Sequence, residues 1–230
     1  MTLYPDEMNI YGDNGNLLVL QKRTQWHGFD VEIVRHEVGS KFDSDVDIII
    51  GGGGQDSGQD KITDDLLKNG NTIKKLASSG VPMLVICGMY QLFGKYFETD
   101  SHRIDGIGLF DAYTKAGEGR LIGNVVVETE FGDLVGYENH SGLTTLGKTQ
   151  KPLGVVLKGG GNNGTDKTEG ARIYNVFGSY LHGPLLPKNP MLADELIKLA
   201  AINKFGEFKP QEIDDSIAIK AHDIAATRPR

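Results

Sequence analysis

The sequence has only one cysteine among its 230 residues, which excludes an internal disulfide and any metal site built from several thiolates. Positive charge is also in deficit. The 24 Lys and Arg residues against 31 Asp and Glu give a net charge of −7, which argues against binding to nucleic acid or anionic membranes. No apolar run is long enough to span a bilayer, and the first six residues lack the basic and apolar regions of a signal peptide. We therefore expect a cytoplasmic protein without metal and without stable membrane insertion.

Glycine, in contrast, is abundant. The 31 glycines make up about one residue in seven, roughly twice the usual share. They form no repeat and are not accompanied by excess proline, so they indicate many tight turns rather than disorder or a fibrous protein. A chain of this length can bury a sizeable core without covalent cross-links. Since no linker interrupts the sequence, we expect a single domain over residues 1–230.

The first half alternates helical and strand patterns, which is typical of a parallel sheet with helices on both faces. The predicted strands are an edge strand at 29–33 and two buried strands at 46–50 and 82–86, the first of which ends in a run of glycines. The predicted helices lie at 17–26, 62–68 and 73–78, with a break at Gly70-Asn71 between the last two, and a short helix begins at Tyr90.

The second half is richer in strands, which are predicted at 123–127, 134–137, 153–157 and 173–177. A glycine-rich segment at 158–166 is expected to form a flexible loop. Two helices, one starting at 187–190 and one at about 213–224, complete the chain. The fold class predicted is therefore α/β, with a mostly parallel sheet flanked by helices and extra antiparallel strands in the second half.

The most informative residue is Cys87, because it follows a predicted buried strand and precedes Gly88 and a helix. A nucleophile on such a sharp strand-to-helix turn projects away from the sheet, and the helix N-terminus favours the thiolate and offers N–H groups to an oxyanion. Gly88 removes a side chain where the backbone is tight. The alternative is that Cys87 is a small buried apolar residue.

A second feature, the loop of glycines at 51–54, follows the other buried strand. Ligands bind beyond the carboxyl ends of parallel strands, and glycines there let backbone N–H groups approach a substrate oxygen. The loop lacks the Gly-Lys-Ser/Thr of a phosphate loop and the spacing of a dinucleotide-binding motif. We therefore predict that Gly53 and Gly54, with the backbone of Met89, form an oxyanion hole; a plain turn is the alternative.

A cysteine hydrolase also needs a base that takes the thiol proton and returns it to the leaving amine. His182 lies where a predicted strand ends in a Gly-Pro turn. His140, in Glu138-Asn139-His140-Ser141-Gly142, is the serious alternative, and spacing alone leaves the choice open.

Several ordered motifs carry a resemblance to a known family. Cys87-Gly88-Met89-Tyr90-Gln91 resembles the nucleophile elbow of class I glutamine amidotransferases, above all the cobyric acid synthase type. More specific motifs resemble the GatD-type glutaminase subunit of lipid II isoglutaminyl synthase over nearly the whole chain: Tyr4-Pro5-Asp6, Asn9-Ile10-Tyr11-Gly12-Asp13-Asn14-Gly15-Asn16, Gly52-Gly53-Gly54-Gln55-Asp56, Gly136-Tyr137-Glu138-Asn139-His140-Ser141-Gly142 and Tyr180-Leu181-His182-Gly183-Pro184.

The resemblance implies a glutaminase with Cys87 as nucleophile and His182 as base. It implies that Arg120 binds the substrate, as a guanidinium can grip the α-carboxylate of L-glutamine through two parallel bonds. Gln91, one helical turn after Cys87, faces the same side and is a further candidate for substrate binding.

The resemblance also implies that ammonia passes to a MurT-type Mur-ligase-like subunit, which amidates the D-glutamate α-carboxyl of the lipid II stem peptide. The family implies no cofactor in this chain, with ATP and Mg²⁺ on the partner. Two alternatives stay open, namely a glutaminase serving a corrinoid amide-forming synthase and a catalytically degenerate scaffold subunit.

The sequence departs from the family pattern at three places. Met89 replaces a second glycine, so its side chain is expected to crowd the elbow or reshape the amide pocket. Pro184 stands where most class I enzymes have an acid two residues after the histidine, so another group must orient the base. The chain starts only three residues before Tyr4, which implies a shortened first strand or a misassigned start.

Overall fold

The computed structural model describes residues 1–229. Its helices are α1 (Asn14–Trp26), α2 (Asp56–Ser78), α3 (Gly88–Phe93), α4 (Pro190–Phe205) and α5 (Ser216–Thr227). Its strands are β1 (Thr2–Leu3), β2 (Arg35–His36), β3 (Ile49–Gly51), β4 (Met83–Ile86), β5 (Tyr96–Glu98), β6 (Arg103–Asp105), β7 (Ala112–Thr129), β8 (Gly132–Leu146), β9 (Gly154–Lys158), β10 (Thr168–Glu169), β11 (Ala171–Ile173) and β12 (Val176–Ser179).

The first sheet has the strand order β11-β12-β4-β3-β1-β2, and all its pairs are parallel except β11 with β12. Every side chain of β4 is buried, because the strand runs through the apolar core. The carboxyl ends of β3 and β4, which are neighbours, carry the glycine loop and Cys87. The topology therefore brings the two predicted site features to the same edge of the sheet.

The second sheet is built around the long β7–β8 hairpin, with the order β10-β9-β7-β5-β6 and β8 on β7. Most of its pairs are antiparallel, so the predicted α/β fold with extra antiparallel strands in the second half is confirmed. The register of the hairpin shifts between Ala116 and Leu121, where β7 bulges. Arg120 lies on this bulge, which lifts it out of the regular ladder.

The predicted edge strand at 29–33 is wrong, since the edge strand is β2, which begins at Arg35. The physical reason lies in β1, which contributes only two residues and pairs with β2 from Thr2 onward. Residues 29–33 therefore have alternating side chains but no strand beside them to complete a ladder.

The predicted break at Gly70-Asn71 is also wrong, because α2 is continuous through it. Gly70 is buried against Ile107, and a Cβ there would lie 3.0 Å from Ile107 Cγ2. The glycine allows this close contact, at a helix-propensity cost of about 1 kcal/mol.

The predicted strand at 173–177 is in fact the two antiparallel strands β11 and β12. They turn at Tyr174, which has a positive φ of 51°.

A separate feature concerns the helices. In the part of the chain from 1 to 229, no helix combines the length and the apolar character that crossing a membrane requires.

Candidate active site

Cys87 occupies the turn between β4 and α3 with φ 51° and ψ −108°, a conformation that non-glycine residues rarely adopt. Its N–H donates to the Ser179 carbonyl at 2.8 Å, which continues the β4–β12 ladder by one residue before the chains diverge. The residue is 7% exposed. The nucleophile elbow predicted from the sequence is therefore present, and the strain of its backbone is held by the sheet and the helix.

Gly88 is required here by space. A Cβ on this residue would lie 2.5 Å from Gln59 Nε2 and 3.1 Å from the Gly54 nitrogen. Met89 behaves differently from the expectation, because its fully buried side chain packs on Gly51 and does not line the pocket. The Met89 side chain therefore leaves the amide pocket unobstructed.

His182 is 1% exposed. Its ring lies near the Cys87 side chain, and Gly53 lies between the two. A Cβ on Gly53 would lie 2.8 Å from His182 Cε1 and 3.1 Å from Cys87 Cβ, so the two side chains flank one point. Burial alone would lower the pKa of His182, but the neighbouring Cys87 thiolate and the hydrogen bond to Asp13 raise that pKa to about 10. The surroundings of His182 thus favour its protonated imidazolium form.

Asp13 is the residue that sequence reasoning missed. It is 4% exposed, its Oδ1 accepts a hydrogen bond from His182 Nδ1 at 3.3 Å, and its Oδ2 accepts one from the Gly53 nitrogen at 2.7 Å. With Nδ1 held by Asp13, His182 Nε2 is the nitrogen available to Cys87. Asp13 lies inside the Asn9–Asn16 motif, and the acid missing at Pro184 was the signal that pointed to such a group.

The same hydrogen bond corrects one part of the predicted oxyanion hole. The N–H of Gly53 already donates to Asp13, so this group is engaged. The Gly54 N–H has no hydrogen-bond partner among residues 1–229, and the Met89 N–H lies in the first turn of α3, where no intrahelical acceptor exists. The N–H groups of Gly54 and Met89, unlike that of Gly53, are therefore not engaged within residues 1–229.

His140, the alternative base, is buried and held in another role. Its Nδ1 donates to the Gly142 carbonyl at 2.7 Å, and its ring stacks on Tyr180 with centroids 3.6 Å apart. Burial lowers the pKa of His140 to about 4, so the ring is neutral at pH 7. The geometry therefore favours His182 as the partner of Cys87.

A cavity of about 480 Å³ opens over Cys87, a volume that suits a small polar substrate. Arg120 and Gln91, the two residues predicted to bind substrate, both line it. Arg120 is exposed, and its Nε and Nη2 donate to Oδ1 and the carbonyl of Asn139, both at 2.9 Å. Among the described residues, no group of three or more His, Cys, Asp or Glu side chains is arranged to hold a metal ion.

Glu169 is a fully buried carboxyl close to the site. Its Oε1 accepts hydrogen bonds from Ser179 Oγ at 2.8 Å and from the Tyr180 nitrogen at 2.7 Å. Burial raises the pKa of Glu169 from 4.5 to about 7 despite these donors. The group therefore stabilises the folded chain fully below about pH 4.5, and this contribution, about 3 kcal/mol, is lost as the pH rises through 7.

We accordingly expect the free energy of unfolding to fall between pH 5 and pH 8, and Glu169→Gln to flatten this dependence because its side chain stays neutral. Urea unfolding at several pH values measures the slope. Glu128→Gln, the same change at an exposed position of β7, serves as control and should keep the wild-type slope. A Glu169→Gln slope equal to that of the wild type would show that the carboxyl is ionised in the fold at pH 5.

A strained cysteine, a histidine held by an aspartate and a glycine loop lie together at one sheet edge, an arrangement typical of enzymes that transfer acyl groups through a thiol. The family model for CobB/CobQ-like glutamine amidotransferase domains matches residues 1–190. The chain belongs to this family and is a glutamine amidotransferase.

The most similar relatives that we compared belong to one group of glutamine amidotransferases. It is 39% identical to the GatD subunit of lipid II isoglutaminyl synthase from Staphylococcus aureus, over 99% of this chain and 96% of the relative. It is 40% identical to the GatD subunit from Streptococcus pneumoniae, over 89% of this chain and 81% of the relative. A crystal structure of a glutamine amidotransferase shares the fold, with a TM-score of 0.60 at 16% identity, covering 87% of this chain and 98% of that one.

Proposed function

We propose that this chain hydrolyses L-glutamine to glutamate and ammonia, and that the ammonia passes to a MurT-type Mur-ligase-like subunit. That subunit would amidate the D-glutamate α-carboxyl of the lipid II stem peptide. The observation that supports the hydrolysis most strongly is the placement of Cys87 beside a histidine whose other nitrogen is held by Asp13. The acceptor is inferred from the similarity to GatD subunits over almost the entire chain.

The hydrolysis proceeds by acyl transfer. The Cys87 sulfur attacks the amide carbon of glutamine, and the N–H groups of Gly54 and Met89 stabilise the oxyanion that develops. The His182 imidazolium gives its Nε2 proton to the departing nitrogen, and ammonia leaves a thioester on the sulfur. His182 then takes a proton from water, whose oxygen attacks the thioester and releases glutamate and the thiolate.

Arg120 is proposed to hold the α-carboxylate of the substrate. In the structure its Nε and Nη2 contact Asn139, while Nη1 has no hydrogen-bond partner among residues 1–229. The guanidinium lies at the cavity wall, on the bulge of β7, and can turn toward a carboxylate in the cavity. A planar fork of donors is the group best matched to a carboxylate in two-point contact.

The ligase step requires activation of a carboxylate, and this sequence contains no Walker-type loop that would hold ATP. We therefore place ATP and Mg²⁺ on the partner subunit. Ammonia that escaped into water at neutral pH would be protonated and lost as a nucleophile, so a sealed path between the subunits is part of the proposal.

The proposal is tested with the chain and its co-purified ligase partner, supplied with ATP, a lipid II analogue and glutamine labelled with ¹⁵N at the side-chain amide. We expect ¹⁵N in the stem-peptide isoglutamine by mass spectrometry, even with unlabelled ammonium in the medium. Equal dilution of the label by medium ammonium would refute the sealed path.

The same preparation distinguishes the alternatives. A dethiobiotin-synthetase-like partner and amidation of a corrinoid would favour the corrinoid-type synthase instead. Failure of a glutamine-mimicking electrophile to modify Cys87, the only thiol in the sequence, would favour a degenerate scaffold subunit.

A further inference from the structure

Both polar atoms of the Gln91 side-chain amide are already engaged inside the protein. Its Oε1 accepts a hydrogen bond from Gln59 Nε2 at 2.7 Å, and its Nε2 donates to the Tyr180 hydroxyl at 3.1 Å. All three side chains are buried, at 5% exposure or less. We call this row of three hydrogen-bonded side chains, Gln59, Gln91 and Tyr180, the amide strut.

The far end of the strut accommodates the orientation of the Gln91 amide. The Tyr180 hydroxyl lies 2.6 Å from Thr144 Oγ1, so it can accept from Gln91 while it donates its one proton to Thr144. The Tyr180 ring is also held on one face by the His140 ring, at 3.6 Å, and by an edge contact with Tyr90, at 5.2 Å.

The strut joins the two halves of the proposed catalytic pair. Gln91 is one turn after Cys87 on α3, and its backbone N–H donates to the Cys87 carbonyl at 2.9 Å. Tyr180 is two residues before His182. The ladder between β4 and β12 ends with the bond from the Cys87 nitrogen to the Ser179 carbonyl. The strut therefore connects the segments that follow these two strands, beyond the point where the strands diverge.

We propose that Gln91 is a positioning residue, which sets the separation of the Cys87 sulfur from His182 Nε2 through Tyr180, and that Gln59 locks it in place. The inference rests on the proposed glutaminase function. His182 Nε2 is buried and has no hydrogen-bond partner among the described residues, so its use depends on how closely Cys87 is held. Proton transfer is sensitive to such placement, since an error of about 1 Å can cost a factor of about 100 in rate.

The test is Tyr180→Phe in the full chain with its partner, because this change removes the hydroxyl and keeps both ring contacts. We expect kcat for glutamine hydrolysis to fall by about 10- to 100-fold, with KM within about twofold of wild type. Arg120→Ala should show the opposite pattern, a raised KM with little change in kcat. Tyr4→Phe, which removes another buried hydroxyl that donates to Asp65 at 2.9 Å, controls for lost stability and should leave both constants unchanged.

A second measurement does not need glutamine. Iodoacetamide alkylates the only thiol in the chain, and the pH profile of that rate reports the pairing of Cys87 with His182. We expect Tyr180→Phe to shift this profile and Tyr4→Phe to leave it in place. A raised KM with unchanged kcat and an unchanged alkylation profile would overturn the strut, as would wild-type behaviour throughout. If Tyr180→Phe leaves the pH profile of alkylation unshifted, the strut is refuted. If the wild-type protein hydrolyses no glutamine, only the proposed function is refuted.

Discussion

Cys87→Ala is expected to lower kcat for glutamine hydrolysis by about 10⁵-fold, to the background of the assay. Without the sulfur no thioester forms, and His182 has no acyl-enzyme on which to act. Ammonia release, followed with a coupled dehydrogenase assay, measures the effect. Since the residue already sits at a φ of 51°, which alanine tolerates no better than cysteine, the substitution adds little new backbone strain.

The control for this variant is the ligase reaction with ammonium chloride as nitrogen source. Amidation at the wild-type rate under this condition would show that the mutated subunit still folds and docks. Glutamine hydrolysis at a rate near that of the wild type would remove Cys87 from the mechanism.

Asp13→Asn is expected to lower kcat by about 10² to 10⁴-fold with a small change in KM. An asparagine amide can present its NH₂ to the His182 ring and favour the wrong tautomer, in which Nε2 carries the proton. Because Asp13 is among the groups that raise the pKa of His182, its removal should also lower that pKa. The imidazolium that protonates the departing amide nitrogen would then be lost at a lower pH, so the alkaline limb of the kcat profile should shift to lower pH.

The matched control removes a carboxylate that lies outside the site. Asp6→Asn neutralises an exposed residue that pairs with Arg35 at 2.6 Å, and it should keep the wild-type kcat and pH profile. A fully active Asp13→Asn enzyme with an unmoved alkaline limb would mean that His182 is oriented by another group.

The elbow could be predicted because it is local in sequence. Four apolar residues, a cysteine and a glycine in a row produce a buried strand, a turn and a helix with few alternatives. The glycine loop was predicted in the same way, since the end of β3 is marked by its own composition. Both features lie within ten residues of the strand that positions them.

The partners of His182 could not be predicted in this way. Asp13 is 169 positions away in the sequence, and only the order of strands in the first sheet brings it under the imidazole. The commitment of the Gly53 N–H to Asp13 follows from the same contact. The direction of the Met89 side chain was missed because a strand-to-helix turn fixes the backbone but not the space beneath it.

The failed strand at 29–33 has a related cause. Alternating apolar residues favour a strand, but a strand forms a ladder only where a neighbouring strand offers hydrogen-bond partners. The neighbour here is β1, which contributes only Thr2 and Leu3. The single domain over residues 1–230 and the binding of substrate by Arg120 stay predictions.

Gly53 shows how little separates a working site from an inert one. Its φ is not positive, so a larger residue would be excluded there by volume and not by backbone conformation. A methyl group on Gly53 would lie 3.1 Å from Cys87 Cβ and 2.8 Å from His182 Cε1, so it would clash with both side chains and push them apart. The close approach of the Cys87 and His182 side chains therefore depends on the absence of a single carbon atom at Gly53.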